Sequence, residues 1–226
     1  MVTAGDGRDD GRLLLWWTPL DLSATALREA GECLTTEELR RAERYAQAKD
    51  RDRFVAARAG LRRVLARQLG CPPAQVRIEV AEGGKPHLAG SDLRFNASRS
   101  GDKALYATSW TTEVGVDLER IRPDVDVDGL ARRFFTEKER RALASRTGEE
   151  RLVAAFECWT RKEAYVKGVG AGLRLPLKEL DVWSGRDEPT TVGGWLIHQV
   201  QVSAAFAAAV AGESLADWVP AALRAA

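Results

Sequence analysis

Histidine is nearly missing from this chain: His87 and His198 are its two copies in 226 residues. That scarcity leaves little room for a histidine-dependent hydrolase triad or a multi-histidine metal centre. Cysteine is almost as rare. Cys33, Cys71 and Cys158 are odd in number and show no metal-ligand spacing, so neither a disulfide framework nor a zinc site is expected. A reduced, cytoplasmic setting follows from the same count. The longest apolar run, residues 204–211, is far short of the ~20 residues that cross a bilayer. Residues 1–12 are rich in Gly and Asp and lack the apolar core of a signal peptide, so a frayed tail is expected there. A Walker-type phosphate loop is also missing. The glycine-rich stretch Gly168-Val169-Gly170-Ala171-Gly172 follows a helical pattern where a dinucleotide fingerprint would open one. The formal net charge is only +1, which excludes nucleic-acid binding through bulk basicity and excludes an acidic, solvating chain.

The chain does have a globular composition, 45% hydrophobic and 30% charged. Its cations are lopsided, with 27 Arg against 7 Lys; arginine forks suit phosphate and carboxylate partners, although an Arg- and Ala-rich composition alone would also produce them. Residues 13–17 read as a buried strand and 22–33 as a helix. Thr35 and Glu38 form a capping-box pattern that opens a basic helical stretch running to Leu69, stopped by Gly70 and Pro72. Short strands are expected over 76–80, 93–95, 104–110 and 113–118, with a turn at Gly83-Gly84-Lys85-Pro86. A helix over 130–135, a second capping box at Thr136 and Glu139 opening 137–145, and a long helix over 149–167 follow. The remainder reads mainly as strands, among them 195–202 and 204–210.

The two halves echo each other. Thr36-Glu37-x-x-Arg40-Arg41-Ala42 recurs as Thr136-Glu137-x-x-Arg140-Arg141-Ala142, and each copy precedes a long helix and a set of strands. On the stretch alone, chance similarity of two capped helices is equally good. The shared element order adds weight to an α+β fold of two similar halves about a pseudo-twofold axis, residues 13–112 and 113–226.

The main chemical signal is Val114-Gly115-Val116-Asp117-Leu118-Glu119. On a strand, Asp117 and Glu119 share one face. Two adjacent carboxylates repel unless a cation or proton intervenes, and a few oxygen ligands favour Mg²⁺. Taken alone, the pattern fits a strand with a solvated acidic face better than a metal site. The second signal is Trp159-Thr160-Arg161-Lys162-Glu163-Ala164-Tyr165-Val166-Lys167, in which Glu163 and Lys167 share a helix face. That pair is either an ordinary i,i+4 contact or the third carboxylate of a metal site with a phosphate-binding lysine one turn on.

Together these segments resemble the 4′-phosphopantetheinyl transferases, in particular the pseudo-dimeric type that activates surfactin synthetase. That family pairs a Gly-hydrophobic-Asp-hydrophobic-Glu strand with a later Trp-x-x-Lys-Glu-Ala-hydrophobic-hydrophobic-Lys helix, and here Glu119 and Glu163 stand 44 residues apart. Gly84-Lys85-Pro86 resembles its Gly-Lys-Pro turn, Phe95-Asn96-Ala97-Ser98-Arg99-Ser100 its Phe-Asn-x-Ser-His-Ser motif, and Arg51-Asp52-Arg53-Phe54 its Arg-rich helix start. Phe134-Phe135-Thr136-Glu137 resembles the segment between the metal motifs. The resemblance spans about residues 17–176.

What it implies is a transferase that moves 4′-phosphopantetheine from coenzyme A to a serine of an apo acyl or peptidyl carrier protein of polyketide, nonribosomal-peptide or fatty-acid synthases. Adenosine 3′,5′-bisphosphate would leave. By resemblance Asp117, Glu119 and Glu163 hold Mg²⁺, and Glu163, Lys167 and Asp117 carry the chemistry. Arg53, Arg58, Lys85, Ser98, Arg99 and Lys167 would hold coenzyme A. The proton acceptor is either Glu163 or a water. Arg120, Arg122, Arg132 and Arg133 are either a solvated face or a dock for an acidic carrier helix. Arg99 stands where the family usually has His; arginine stays protonated, so a phosphate clamp is expected there and not an acid/base. Two other classes stay open: a non-catalytic coenzyme A or carrier-binding protein, and a Mg²⁺-dependent pyrophosphate hydrolase. A cleft formed within one chain favours a monomer, with neither nucleic acid nor membrane as partner. Residues 1–112 carry a net +3 and residues 113–226 a net −2, a division suited to phosphates facing a metal-binding half.

Overall fold

A computed structural model describes residues 13–81, 83–170, 172, 175–183, 185, 188–213 and 224–226. The tail expected over residues 1–12 lies outside the described residues. The order is β1 (Leu14–Pro19), α1 (Ala24–Glu32), α2 (Thr36–Glu43), α3 (Ala48–Leu69), β2 (Ile78–Val80), β3 (Pro86–Leu88), β4 (Arg94–Ser100) and β5 (Lys103–Ser109). It continues with β6 (Val114–Arg120), α4 (Val127–Phe134), α5 (Glu137–Ala144), α6 (Gly148–Val169), β7 (Thr190–Val192), β8 (Trp195–Gln199), β9 (Phe206–Glu213) and β10 (Arg224–Ala225).

Among the described residues two four-stranded sheets form, ordered β10-β1-β5-β4 and β6-β9-β8-β7, with a small β2-β3 hairpin beside them. The last strand, β10, pairs parallel to β1, so the chain end returns to the first sheet. Period-two alternation assigns each central strand two jobs. In the first sheet Leu14, Trp16, Ala104 and Tyr106 pack with α3 residues such as Leu61 and Leu65. Leu15, Leu105 and Ala107 turn the opposite way and join Val116, Leu118, Ala208 and Val210 of the second sheet in a core between the sheets. The other face of β9, Ala209 and Ala211, packs with Ala155, Cys158 and Ala164 of α6. Both halves are thus a sheet with one long helix on its outer face, which is the α+β pseudo-repeat expected.

The repeat is closer than the sequence echo suggested, and its register differs. α3 and α6 are both 22 residues long and end on a left-handed glycine, Gly70 and Gly170. The capping boxes are Thr35 with Glu38 and Thr136 with Glu139. Thr136 therefore matches Thr35, one residue off the alignment that places it on Thr36; the cap must stand three residues before its glutamate. The expected continuous helix from Thr35 to Leu69 is two helices. α2 ends at Glu43, and Arg44 and Tyr45 close it with short-range bonds to Arg41 and Ala42. The strand expected over 93–95 extends to Ser100 because it pairs along its whole length with β5.

Candidate active site

On β6, Val114, Val116 and Leu118 face the core between the sheets. Gly115, Asp117 and Glu119 therefore face α6. Gly115 sets how closely that helix approaches: a Cβ there would lie 2.0 Å from the Ala164 carbonyl oxygen and 2.3 Å from the Gly168 nitrogen. Gly168 is equally confined, its would-be Cβ 2.4 Å from the Trp195 ring. With both side chains absent, α6 lies against the backbone of β6 and presents Glu163 and Lys167 to the strand's carboxylates. Lys167 Nζ donates to Asp117 Oδ1 and, across 3.0 Å, to Ser98 Oγ.

The third contributor is β4, the edge of the first sheet, which meets β6, the edge of the second. Alternation puts Asn96, Ser98 and Ser100 on one face. Asn96 Oδ1 accepts from the Val116 nitrogen at 3.0 Å. Ser98 Oγ donates to Asp117 Oδ1 and Ser100 Oγ to Glu119 Oε2, both at 2.8 Å. Ser100 Oγ also accepts from the Arg120 nitrogen at 3.0 Å. The two sheets are joined here by side chains from one strand that grip the carboxylates and backbone of the other.

The electrostatics are those of an acidic cluster that Lys167 neutralises only in part. Asp117 is 2% exposed, and its Oδ2 has no hydrogen-bond partner among the described residues. Burial raises the Glu119 carboxyl above the ordinary glutamate value, and the charge of Asp117 adds to this, opposed by the Ser100 hydroxyl and Lys167. Burial likewise raises Glu163, with Asp117 and Glu119 reinforcing it and Lys167 opposing. A buried carboxylate oxygen without a donor, flanked by two acids that resist ionisation, fits an added cation. All candidate ligands are oxygens, which suits a small hard ion. Among the described residues no group of three or more His, Cys, Asp or Glu side chains is placed to hold a metal ion. Mg²⁺ commonly takes one or two carboxylates and completes its shell with water and substrate phosphate.

A pocket of about 370 Å³ opens beside Glu163, with apolar walls from Phe134, Val166, Leu175 and Leu177 and charges of both signs from Arg133, Lys178 and Glu179. The fold thus brings together Ser98, Asp117, Glu119, Glu163 and Lys167. It holds the other expected site residues on protein partners. Arg53 makes a fork to Asp21 at 2.7 and 2.9 Å. Arg58 bonds to Glu38. Lys85 reaches Glu113 at 2.6 Å and the Gly168 carbonyl at the end of α6. Arg99 donates to the Tyr45 hydroxyl at 2.9 Å and stacks over that ring. Asn96 and Ser100 lie in the Phe-Asn-x-Ser-His-Ser-like stretch but carry no site role in the sequence reading; their i, i+2, i+4 spacing with Ser98 is the signal that exposes them.

Two family models divide the chain. One, the 4′-phosphopantetheinyl transferase superfamily, matches residues 113–221. The other, the N-terminal region of 4′-phosphopantetheinyl transferases, matches residues 16–111. The 4′-phosphopantetheinyl transferase HetI of Nostoc sp. is 39% identical over 179 residues, 77% of this chain and 75% of its own length. The chain belongs to the 4′-phosphopantetheinyl transferase superfamily. Its 4′-phosphopantetheinyl transferase relatives also include gsp of Aneurinibacillus migulanus, 32% identical over 66% of this chain and 60% of its own length. Sfp of Bacillus subtilis is 27% identical over 70% of each. The surfactin-synthetase-activating type is consistent with these matches. Transfer of the phosphopantetheine group is favoured over a non-catalytic binding protein and over pyrophosphate hydrolysis. Among the described residues no helix is long and apolar enough to cross a membrane.

Proposed function

We propose that the seam between β4, β6 and α6 transfers 4′-phosphopantetheine from coenzyme A to a serine hydroxyl of an apo carrier protein. The observation that carries this reading is the convergence of Asp117, Glu119 and Glu163 with Lys167, together with the buried Oδ2 of Asp117, which finds no partner among the described residues. In the reaction the serine oxygen bonds to the phosphorus that bears pantetheine, the pyrophosphate P–O bond breaks, and adenosine 3′,5′-bisphosphate leaves. Asp117, Glu119 and Glu163 would hold Mg²⁺, which when bound neutralises charge on the pyrophosphate oxygens. Lys167 lies on the same cluster and can move its ammonium from Asp117 to a phosphate oxygen. Glu163 borders both the cluster and the pocket, so its carboxylate is placed to take the serine proton.

Coenzyme A would recruit the arginines now paired to acids. Arg53 is the readiest, because its partner Asp21 is about half exposed and such a pair is weak. Arg133 at the pocket and Arg132 nearby would meet an acidic carrier surface. The carriers of polyketide, nonribosomal-peptide or fatty-acid synthases are the proposed acceptors, and the protein would act as a cytoplasmic monomer. The test is to incubate the protein with Mg²⁺, coenzyme A and an apo carrier and to weigh the carrier. Transfer predicts a phosphopantetheine adduct that is lost with Glu163→Gln and with chelator. Coenzyme A binding with no adduct, or coenzyme A cleavage with an unmodified carrier, would overturn it.

A further inference from the structure

Lys162 precedes Glu163, yet it is wholly shut from solvent. Its Nζ lies 2.8 Å from Glu139 Oε2 and 2.8 Å from the Leu177 carbonyl oxygen, and it also donates to the Leu180 carbonyl. The ring of Phe135 lies 5.9 Å away. Glu139 is no freer. Its Oε2 also accepts from the Thr136 nitrogen at 2.8 Å, and its Oε1 from the Val182 nitrogen at 2.9 Å. One dry ion pair therefore fastens three pieces of chain: the corner between α4 and α5, the middle of α6, and residues 177–182.

Two of those pieces flank the pocket beside Glu163. Arg133 and Phe134 come from the end of α4, and residues 175–179 form another part of the lining, while Glu163 itself comes from α6. The first half carries the same device. Arg62, one hundred residues earlier on α3, bonds through Nε to Glu38 Oε2 at 2.7 Å and through Nη1 to the Pro73 and Val76 carbonyls at 2.9 and 3.1 Å. Glu38 is likewise the third residue of a capping box. Stability alone does not explain such pairs, since an apolar pair of equal volume is often as stable. What a fully satisfied buried pair supplies is a single geometry.

We propose that Lys162, through Glu139, is a positioning residue for the transfer reaction, fixing the pocket wall at residues 175–180 and the α4–α5 corner relative to Glu163. This rests on the transfer reading above. Lys162 touches no substrate; it acts by holding the pocket's linings at one separation from the helix that carries Glu163.

The test compares Lys162→Met, Lys162→Arg and Glu139→Gln with the parent protein in kcat, carrier KM, coenzyme A affinity and melting temperature. The parent must form the adduct; a parent that forms none overturns the transfer reading and is seen before any variant is made. For Lys162→Met, kcat should fall by up to about a hundredfold in the folded protein, because small misplacements near reacting groups cost that much. Coenzyme A affinity should stay within about twofold of the parent, as expected of lost positioning as opposed to lost binding. Lys162→Arg, patterned on Arg62, should recover most of kcat. A lowered melting temperature with kcat unchanged would mean a structural role and overturn the proposal. So would a parallel loss of coenzyme A affinity and kcat. If Lys162→Met does not fold, unchanged kcat in both Lys162→Arg and Glu139→Gln would overturn it, and a lowered kcat at unchanged coenzyme A affinity in Glu139→Gln would support it.

Discussion

Ser98 Oγ donates to Asp117 Oδ1 across 2.8 Å, and the two residues belong to different sheets. The bond repeats two residues on, where Ser100 donates to Glu119. A strand of the first half thus holds the carboxylates of the second in register, and Asn96 anchors the start of the row on the Val116 nitrogen. Asn96→Ala leaves that buried N–H without its acceptor. The expected cost is about 1–3 kcal/mol of stability, read from urea unfolding. Ser100→Ala, which removes a part-buried hydroxyl, should cost less stability while loosening Glu119. A neutral Asn96→Ala would show that the seam does not order the two edges.

Gly115 and Gly31 make a matched pair for testing how tightly α6 must sit. A methyl at Gly115 would overlap the Ala164 carbonyl and the Gly168 nitrogen, whereas a methyl at Gly31 in α1 meets none of the described residues within 4 Å. Gly115→Ala must push α6 outward and should destabilise by about 1–3 kcal/mol as overpacking does. Because Glu163 and Lys167 move with α6, transfer activity should fall further than stability alone predicts. Gly31→Ala should stabilise by up to about 1 kcal/mol through helix propensity. Equal melting temperatures for the two variants would contradict the close contact.

The acidic cluster makes stability depend on pH and on divalent metal. Glu119 and Glu163 bind protons more tightly when folded than when unfolded. Their contribution is therefore fully present below the ordinary glutamate value of about 4.3 and is lost as pH rises through their elevated values. At neutral pH, in a metal-free protein, both act against folding. Glu119→Gln and Glu163→Gln should each raise the melting temperature at pH 7 and do so much less at pH 4. Mg²⁺ should raise the melting temperature of the parent near neutrality by mass action and lose effect as the acids protonate. Chelator should reverse the gain, and the glutamine variants should respond weakly. A parent insensitive to Mg²⁺ between pH 7 and 8 would count against the metal site.

Much of this was legible from residue patterns, for physical reasons. Both capping boxes announce themselves because the glutamate must follow its threonine by three residues, and both are present in the structure. Asp117 with Glu119 and Glu163 with Lys167 are visible because strands repeat every two residues and helices every four. The break between α2 and α3 was not legible, since Arg44 to Gln47 contains neither Gly nor Pro and tertiary packing of α2 on α3 decides it. The partners of Arg53, Arg58 and Lys85 were also hidden. A sequence shows that an arginine is present but not which acid lies nearest, and Asp21 is 32 residues from Arg53.

That Asp21 pair yields its own prediction. Arg53 is clamped by both carboxylate oxygens, and the clamp lowers the Asp21 carboxyl while raising Arg53. Coenzyme A phosphate must break this pair before Arg53 can serve it. Asp21→Asn removes the competitor and should tighten coenzyme A binding by up to about fivefold, the equivalent of the ~1 kcal/mol an exposed pair is worth. Titration calorimetry reads it directly. Weaker binding in Asp21→Asn would mean that the pair orients Arg53 and does not compete for it.

Arg99 supplies the sharpest separation of binding from proton transfer. Its guanidinium is exposed, donates to the Tyr45 hydroxyl and stacks 5.6 Å from that ring's centre. A guanidinium stays charged at every working pH, so a phosphate clamp at Arg99 adds no pH dependence of its own to coenzyme A binding between pH 5.5 and 8, beyond the phosphate's second ionisation at about pH 6. Arg99→His ties that hold to an imidazole with an ordinary value near 6.5. The protonated ring attracts phosphate and the neutral ring does not, so coenzyme A affinity should match the parent at pH 5.5 and fall as pH rises through about 6.5. Arg99→Ala should be weak throughout, with no new pH dependence. Should Arg99→His bind coenzyme A as the parent does at every pH and instead acquire a new pH dependence in kcat, the position belongs to proton transfer and the clamp reading fails.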